Sequence, residues 1–154
     1  MQVQPPFTGN CYVFDLDGTL FDCSHRLHHI QKEPKDWDAY FAACAGDTPI
    51  WPMVKLACDL KVRGRDVLYL TGRSDICRQA TVDSICTAGL PSGNLFMRFA
   101  GDHRNDDILK VEMVRNIRDN LGFFPICIFE DRKRVVDAMR AAGFCCVQVA
   151  DGDF

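Results

Sequence analysis

Two aspartates separated by one residue, Asp15 and Asp17, are the first candidates for chemistry in this sequence. They follow the apolar run Cys11–Phe14, which is rich in strand formers and too short for a helix. Alternation along a strand puts both acids on the same side, and Gly18 then permits a sharp turn. Because ligands of open α/β sheets bind beyond the carboxyl ends of the strands, the pattern predicts a strand that delivers two acids into a crevice.

The Asp-x-Asp-Gly spacing also occurs in calcium-binding loops and in ordinary turns. A calcium loop needs further oxygen ligands at alternate positions and a late glutamate. The positions around this pair instead hold apolar residues, namely Phe14, Leu16, Leu20 and Phe21. We therefore favour two acids at a strand end over a calcium loop.

Polar residues also follow other predicted strands. Thr71, Gly72 and Arg73 come after the apolar run 67–70, and a hydroxyl and a glycine before a helix start are typical of an anion site. A second pair of acids, Glu130 and Asp131, follows the apolar run 126–129.

Lys110 falls near the beginning of a predicted helix, where the helix dipole disfavours a cation. A lysine at such a position is expected to serve something other than the helix. Several acids at one crevice repel each other unless a cation lies among them, and hard oxygen ligands with open positions suit Mg²⁺. The residues therefore predict a magnesium-dependent phosphate site, where one carboxylate forms an aspartyl-phosphate and the other moves protons.

Apolar strands that alternate with amphipathic helices predict an α/β fold, a three-layer α/β/α Rossmann-like parallel sheet of about five strands. The strands are expected at 11–14, 67–70, 95–98, 126–129 and 145–149. The polar section 22–51 is predicted to be a small helical cap, with Ser24 and Asp36 capping its two helices. The predicted organisation is thus a core of residues 1–21 and 52–154 with a cap of residues 22–51.

Composition narrows the class of protein. The chain has 154 residues, of which 47% are hydrophobic and 25% charged, with a formal net charge of −3. This charge argues against wrapping long nucleic acid but not against gripping one strand end. Nine scattered cysteines without zinc spacing, and the lack of a signal sequence or an apolar run of membrane length, predict a cytoplasmic protein. Neither dinucleotide-binding nor P-loop glycine patterns occur.

Three histidines, His25, His28 and His29, invite a metal interpretation because residues three or four apart share a helix face. No partner cysteine or HExxH pattern supports a zinc site, so we favour solvated or substrate-facing roles. His25, His28, Trp37 and Tyr40 are predicted to offer polar contacts or a stacking surface to the last base or two of a substrate. Alternatively, the aromatic residues form the small core of the cap.

The sequence resembles the haloacid dehalogenase (HAD) superfamily of phosphohydrolases, and more closely the 3′-phosphatase domain of phage polynucleotide kinase-phosphatase. The resemblance spans nearly the whole chain, although Glu130 stands where that family has Asp and section 22–51 is longer. It rests on Asp15-Leu16-Asp17-Gly18-Thr19, Arg26, Thr71-Gly72-Arg73, the segment from Gly101 to Lys110, Glu130-Asp131-Arg132, and the ending Gln148-Val149-Ala150 with Gly152-Asp153-Phe154.

The resemblance implies a role for each matching residue. The implied nucleophile is Asp15, the general acid and base is Asp17, and Thr71 and Lys110 hold the phosphate. The implied magnesium ligands are Asp15, the backbone carbonyl of Asp17, Glu130 and Asp131. The implied substrate-binding residues are Arg26, Gly72, Arg73, Asp106 and Arg132. Asp106 is expected to orient Lys110 or Arg73, or alternatively to cap a helix.

The implied substrate is a 3′-phosphorylated DNA or RNA end, or a nucleotide. Alternatives within the same chemistry are a 5′-nucleotidase and a small-metabolite phosphatase. An inactive HAD-fold binding module is the alternative from another class, and the intact acid pair argues against it. A dehalogenase would be expected to lack Asp17 because it has no leaving oxygen to protonate.

Overall fold

The computed structural model describes residues 9–152, and its centre is a five-stranded parallel sheet. The sheet confirms the predicted α/β fold with about five strands. Its order is β5-β4-β1-β6-β7. The strands are β1 (Cys11–Phe14), β4 (Asp66–Ser74), β5 (Leu95–Arg98), β6 (Pro125–Glu130) and β7 (Cys146–Gln148).

Four helices cover the two faces of this sheet. They are α2 (Trp51–Val62), α3 (Arg78–Thr87), α4 (Asp106–Asp119) and α5 (Lys133–Ala141). Val114 and Val136, from α4 and α5, belong to one core cluster, and Val54 and Ile85, from α2 and α3, belong to the other. Because both faces are buried, β1 is apolar along its whole length rather than alternating.

Section 22–51 joins β1 to α2. The short strands β2 (Phe21–Asp22) and β3 (Thr48–Pro49) pair antiparallel and bring its two ends together. Between them lie a 3₁₀ helix over Ser24–His29, the helix α1 (Trp37–Ala42), and a 3₁₀ turn over Ala43–Gly46. This pairing was not predicted, since two residues per strand leave no periodic signal.

Of the two helix caps predicted in this section, the structure confirms one and contradicts the other. Asp36 caps α1 as predicted, because its Oδ1 accepts a hydrogen bond from the backbone N–H of Ala39 at 2.9 Å. The prediction for Ser24 is wrong: Ser24 is the first residue of its 3₁₀ helix, and its N–H donates to Asp22 Oδ1 at 2.8 Å. The division into a core and a separate cap stays a prediction.

Asp153 and Phe154, which belong to the resemblance, lie outside the described residues. The N-terminal stretch 1–8, to which the expectation about a signal sequence refers, lies outside them as well. Within residues 9–152, no helix is both long enough and apolar enough to cross a membrane.

Candidate active site

The first predicted acid, Asp15, lies directly after β1 and is 4% exposed. Its backbone N–H donates to the carbonyl of Phe129 in β6 at 3.0 Å, so pairing between the strands fixes its position. The chain then turns at Gly18, whose φ of +82° is in the region that favours glycine. The N–H of Gly18 donates to the carbonyl of Phe21 at 2.8 Å, which closes the turn that follows Asp17.

Lys110 connects two of the strand ends. Its Nζ donates to Asp15 Oδ1 and to Glu130 Oε2, each at 2.7 Å, and all three residues are buried. Burial by itself lowers the pKa of Lys110, but the two carboxylates raise it above its usual value. Burial, and after it the charge of Glu130, raises the pKa of Asp15 well above its usual value, whereas Lys110 lowers it. The lysine thus remains a cation and partly compensates the buried acids.

Three of the predicted metal ligands form one group. One carboxylate oxygen from each of Asp15, Glu130 and Asp131 lies within 4.8 Å of the others. Both side-chain oxygens of Asp131 are buried and have no hydrogen-bond partner among the described residues. Burial, and after it the charge of Glu130, raises the pKa of Asp131 to about 7. A hard cation would supply the missing partner of these oxygens, so the group fits Mg²⁺.

Two glycines leave room around Asp131. A Cβ added to Gly18 would lie 2.1 Å from Asp131 Oδ2, and one added to Gly152 would lie 1.8 Å from the same atom. The N–H of Gly152 donates to the backbone carbonyl of Asp131 at 3.1 Å, so the backbone itself surrounds the carboxylate. Because of this close approach, a side chain at either glycine would collide with the carboxylate of Asp131.

Glu130 also has a second function. Its Oε1 accepts hydrogen bonds from the backbone N–H groups of Asp131, at 3.2 Å, and Arg132, at 3.1 Å. With Lys110 on Oε2, both of its oxygens already have partners in the protein. Glu130 is therefore placed to hold Lys110 and the chain that follows β6, and its carboxylate also belongs to the group that could hold a cation.

The second predicted acid, Asp17, does not join the carboxylate group through its side chain. Its Oδ1 accepts from Arg26 at 2.6 Å and from the Nε of Arg73 at 2.9 Å. Burial by itself raises the pKa of Asp17, but the charges of Arg73 and Arg26 lower it below its usual value. In the protein alone, Asp17 is thus held as an anion by two arginines.

A further acid, Asp47, holds both arginines and was not predicted. Its Oδ2 accepts from Arg26 at 2.7 Å and from Arg73 at 2.6 Å, and its Oδ1 accepts from the Nε of Arg26 at 2.7 Å. The side chains of Asp47, Arg26 and Arg73 are fully buried. Asp47 lies between Gly46 and a two-residue strand, where an aspartate usually marks a turn, so no sequence pattern distinguished it.

Asp106 is the first residue of α4, and Asn105 occupies the N-cap position, so the alternative of Asp106 as a helix cap is wrong. Its carboxylate contacts Arg98 and Arg132 rather than the expected Lys110 or Arg73. Burial by itself raises its pKa, but the charges of Lys110, Arg132 and Arg98 lower it.

The glycine of the second motif explains how Asp106 comes so near β4. A Cβ on Gly72 would lie 2.7 Å from Asp106 Oδ1, so only glycine permits this approach. The carbonyl of Gly72 accepts from the Nε of Arg98 at 3.0 Å. Thr71 is fully buried, and its Oγ1 accepts from the N–H of Arg73 at 3.1 Å, which leaves the hydroxyl hydrogen available as a donor.

A cleft of about 810 Å³ opens above these groups. Of the predicted site residues, six line it directly: Asp15, Asp17, Gly72, Asp106, Lys110 and Arg132. The other five (Arg26, Thr71, Arg73, Glu130 and Asp131) are buried and reach the site through the contacts described above.

The histidines are not brought to this cleft. Among the described residues, His25, His28 and His29 neither line it nor form part of a group of potential metal ligands. His25 Nε2 lies 2.9 Å from Asp47 Oδ1 instead. Tyr40 is only 3% exposed, and its ring lies 4.1 Å from the guanidinium carbon of Arg26, so it belongs to the core of the section.

An acid pair after the first strand, a lysine from a later helix and further acids after a neighbouring strand are the features of the HAD phosphohydrolases. A class C acid phosphatase from Bacillus anthracis has the same fold. The alignment covers 95% of this chain and 68% of that one, with a TM-score of 0.69 and 15% identity.

A comparison of the sequence with models of protein families shows which family the chain belongs to. The model of the polynucleotide kinase PNKP phosphatase domain matches residues 9–154, and the chain belongs to this family. The predicted resemblance is thereby confirmed, and the chain is a phosphatase domain.

Two solved structures are more similar in sequence. One is a chain of the Pnkp1/Rnl/Hen1 complex, with 25% identity and a TM-score of 0.76. The alignment covers 96% of this chain and 48% of that one. The other is a chain of the Pnkp1/Rnl/Hen1 RNA repair complex, with 27% identity and a TM-score of 0.74. The alignment covers 94% of this chain and 43% of that one. This chain therefore spans about half the length of these two relatives.

Proposed function

We propose that this chain is a Mg²⁺-dependent phosphomonoesterase that acts through an aspartyl-phosphate on Asp15. The observation that carries the proposal is the position of Asp15 Oδ1, 2.7 Å from Lys110 Nζ and within the carboxylate group that includes Asp131. A bound magnesium, held by Asp15, Asp131 and Glu130, would neutralise charge on the transferring phosphoryl group.

The protein's own groups supply the two steps. A carboxylate oxygen of Asp15 attacks phosphorus, the bond to the leaving oxygen breaks, and Asp17 gives its proton to that oxygen. Water then attacks the phosphorus of the aspartyl-phosphate, the bond between phosphorus and the Asp15 oxygen breaks, and inorganic phosphate leaves. Asp17 takes the proton of this water and gives it to the leaving oxygen in the next turnover. The anionic form of Asp17 that Arg26 and Arg73 favour is the form needed in this second step.

Lys110 and Thr71 are the groups proposed to hold the phosphate. Lys110 remains cationic because two carboxylates contact it, and the hydroxyl of Thr71 still has a hydrogen to donate. Arg132 lines the cleft next to Asp106 and is the proposed contact to the substrate near its phosphate. Arg26 and Arg73 act through Asp17, which both of them contact.

The proposed substrate is a 3′-phosphate on a polynucleotide end or a nucleotide. Family membership supports it, as does the presence of one relative in an RNA repair complex. The net charge of −3 fits a ligand held by its terminal phosphate rather than along a backbone.

The test measures phosphate release from three substrates side by side: a 3′-phosphorylated oligonucleotide, a 3′-mononucleotide and a 5′-mononucleotide. We expect the highest kcat/KM on one of the two 3′-phosphates. A preference for the 5′-mononucleotide would overturn the substrate but keep the mechanism. No release from any of them, with p-nitrophenyl phosphate also inert, would overturn the proposed activity itself.

A further inference from the structure

The cleft above Asp15 has an apolar part that the proposed chemistry does not use. Three large apolar side chains line it although they are exposed: Trp37 at 42%, Ile76 at 77% and Phe99 at 76%. Exposed apolar surface inside a concave site that also contains charged groups is typical of a ligand pocket. The proposed metal site among the acids would bind the phosphate of a ligand. The apolar part of the cleft is then available to bind the rest of that ligand.

The three residues come from separate parts of the chain. Trp37 is the first residue of α1 in section 22–51, Ile76 follows the end of β4, and Phe99 follows the end of β5. The carboxylate of Asp15 lines the same cleft. A ligand with its phosphate at Asp15 therefore extends over a surface that both the inserted section and the sheet provide.

The indole ring of Trp37 is supported by its neighbours. It stacks on Phe41 with ring centroids 6.0 Å apart and meets Tyr40 edge-on at 5.8 Å. These contacts hold the ring in place while leaving 42% of the residue exposed. An ordered aromatic face loses little conformational freedom when a flat ligand stacks on it.

Three cations at the cleft are paired with neighbouring acids, whereas Lys35 Nζ lies 5.8 Å from the centre of the Trp37 ring. Arg104 pairs with Asp102 at 2.7 Å and with Glu112 at 2.5 Å. Lys133 pairs with Asp137 at 2.5 Å. Arg134 forms a longer ion pair, with its Nε 3.4 Å from Asp107 Oδ1. A second phosphate would gain little from groups that are already paired, so the apolar part of the cleft favours an uncharged flat group.

We propose that this part of the cleft is a nucleobase subsite, in which the base of the phosphate-bearing nucleotide stacks on Trp37 while Phe99 and Ile76 complete the apolar lining. The proposal rests on the proposed function, since it takes the ligand's phosphate to lie at Asp15. Stacking accepts every base because each has a π face. A base within a duplex is paired and stacked on its neighbour, so the subsite selects a single-stranded end or a free nucleotide.

The test uses a single-stranded 3′-phosphorylated trinucleotide and a copy whose terminal nucleotide lacks its base. We expect kcat/KM of the wild-type protein to be about 10- to 100-fold lower on the abasic copy, as stacking energies imply. Trp37→Ala and Phe99→Ala should lose activity on the complete trinucleotide while hydrolysing the abasic copy as the wild type does. Trp37→Phe should retain most of the activity.

Trp51→Ala is the matched control, since Trp51 is 62% exposed and does not line the cleft. Phe99 is 76% exposed, so Phe99→Ala keeps the test valid if Trp37→Ala folds poorly. Equal rates of the wild type on the two trinucleotides would overturn the subsite. So would a Phe99→Ala variant that has the wild-type melting temperature and loses activity equally on both.

The same measurement on a 5′-phosphorylated trinucleotide and its abasic copy distinguishes the proposed 3′-phosphate substrate from the proposed nucleobase subsite. A preference for the 5′-phosphate that still depends on the terminal base would refute the 3′ assignment and leave the subsite intact. A 3′ preference without base dependence would refute the subsite alone.

Discussion

The carboxylate of Asp47 lies 2.6 Å from the guanidinium group of Arg73, and both side chains are fully buried. Asp47 comes from section 22–51 and Arg73 from β4 of the sheet, so the pair joins the inserted section to the core. Arg26 contacts the same carboxylate at 2.7 Å, and both arginines also contact Asp17. The buried Asp47, the partly buried Asp17 and the two buried arginines thus compensate each other's charge next to the proposed nucleophile.

Asp47→Asn removes one of the two anions that face these arginines. Breaking a buried ion pair by changing one partner typically costs about 3–5 kcal/mol. We expect a lower free energy of unfolding, measured with urea, and a lower kcat, because Asp17 would no longer be held in one orientation. Asp59→Asn is the control, since Asp59 forms only an exposed pair with Lys55. A variant as stable and as active as the control would contradict the importance of Asp47.

Asp15→Asn should abolish turnover, because an amide neither attacks phosphorus nor serves as an anionic metal ligand. Phosphate release from p-nitrophenyl phosphate measures the loss, and beryllofluoride binding to the wild type provides a mimic of the aspartyl-phosphate. Activity within tenfold of the wild type would contradict the assignment.

Removal of divalent metal should inactivate the protein, because Lys110 alone would then compensate the charges of Asp15, Glu130 and Asp131. EDTA-treated protein should regain its activity with Mg²⁺, and full activity in the chelator would rule out the metal.

Gly152→Ala tests the proposed metal site without changing any of its carboxylates. Its Cβ would lie 1.8 Å from Asp131 Oδ2, so we expect weaker binding of Mg²⁺, measured by calorimetry. Gly122→Ala serves as the control. Gly122 has a φ of +74° and nothing within 4 Å of an added Cβ, so its substitution should affect stability but not metal binding. Equal metal affinities for the two variants would argue against Asp131 as a ligand.

Asp17→Asn should slow hydrolysis most for substrates with a poor leaving group. A sugar hydroxyl needs a proton from Asp17 as it leaves, whereas nitrophenolate needs little protonation. We expect a much larger loss of kcat on a 3′-nucleotide than on p-nitrophenyl phosphate. Equal losses on both substrates would show that Asp17 is not the acid.

Asp106 should make stability depend on pH. Its folded-state pKa is lowered from the usual 3.8, so its ion pairs with Arg98 and Arg132 contribute stability above that pH and lose it as the pH falls through the folded pKa. We expect Asp106→Asn to lower the melting temperature at pH 7, with the difference from the wild type shrinking below about pH 3.8. A difference that stays constant down to pH 3 would contradict this account.

The sequence by itself determined the sheet and the acids at its edge. Strands β1 and β5 have the predicted bounds, because a short, mainly apolar run between polar turns has few other structures available. Parallel strands place their carboxyl ends at one edge of the sheet, so the sequence predicted that Asp15 and Glu130 meet at one crevice, and the pairing of β1 with β6 makes them neighbours there. Lys110 was recognisable because the helix dipole does not explain it.

Only the tertiary structure decided how the charges are distributed around these acids. The pairing of Asp17 with Arg26 and Arg73, and the part that Asp47 takes in it, depends on the path of section 22–51 over the sheet, which no periodicity records. The contacts of Asp106 with Arg98 and Arg132 depend likewise on the close approach at Gly72. Long polar side chains reach partners far away in the sequence, and the fold rather than the local pattern sets which partner lies within reach.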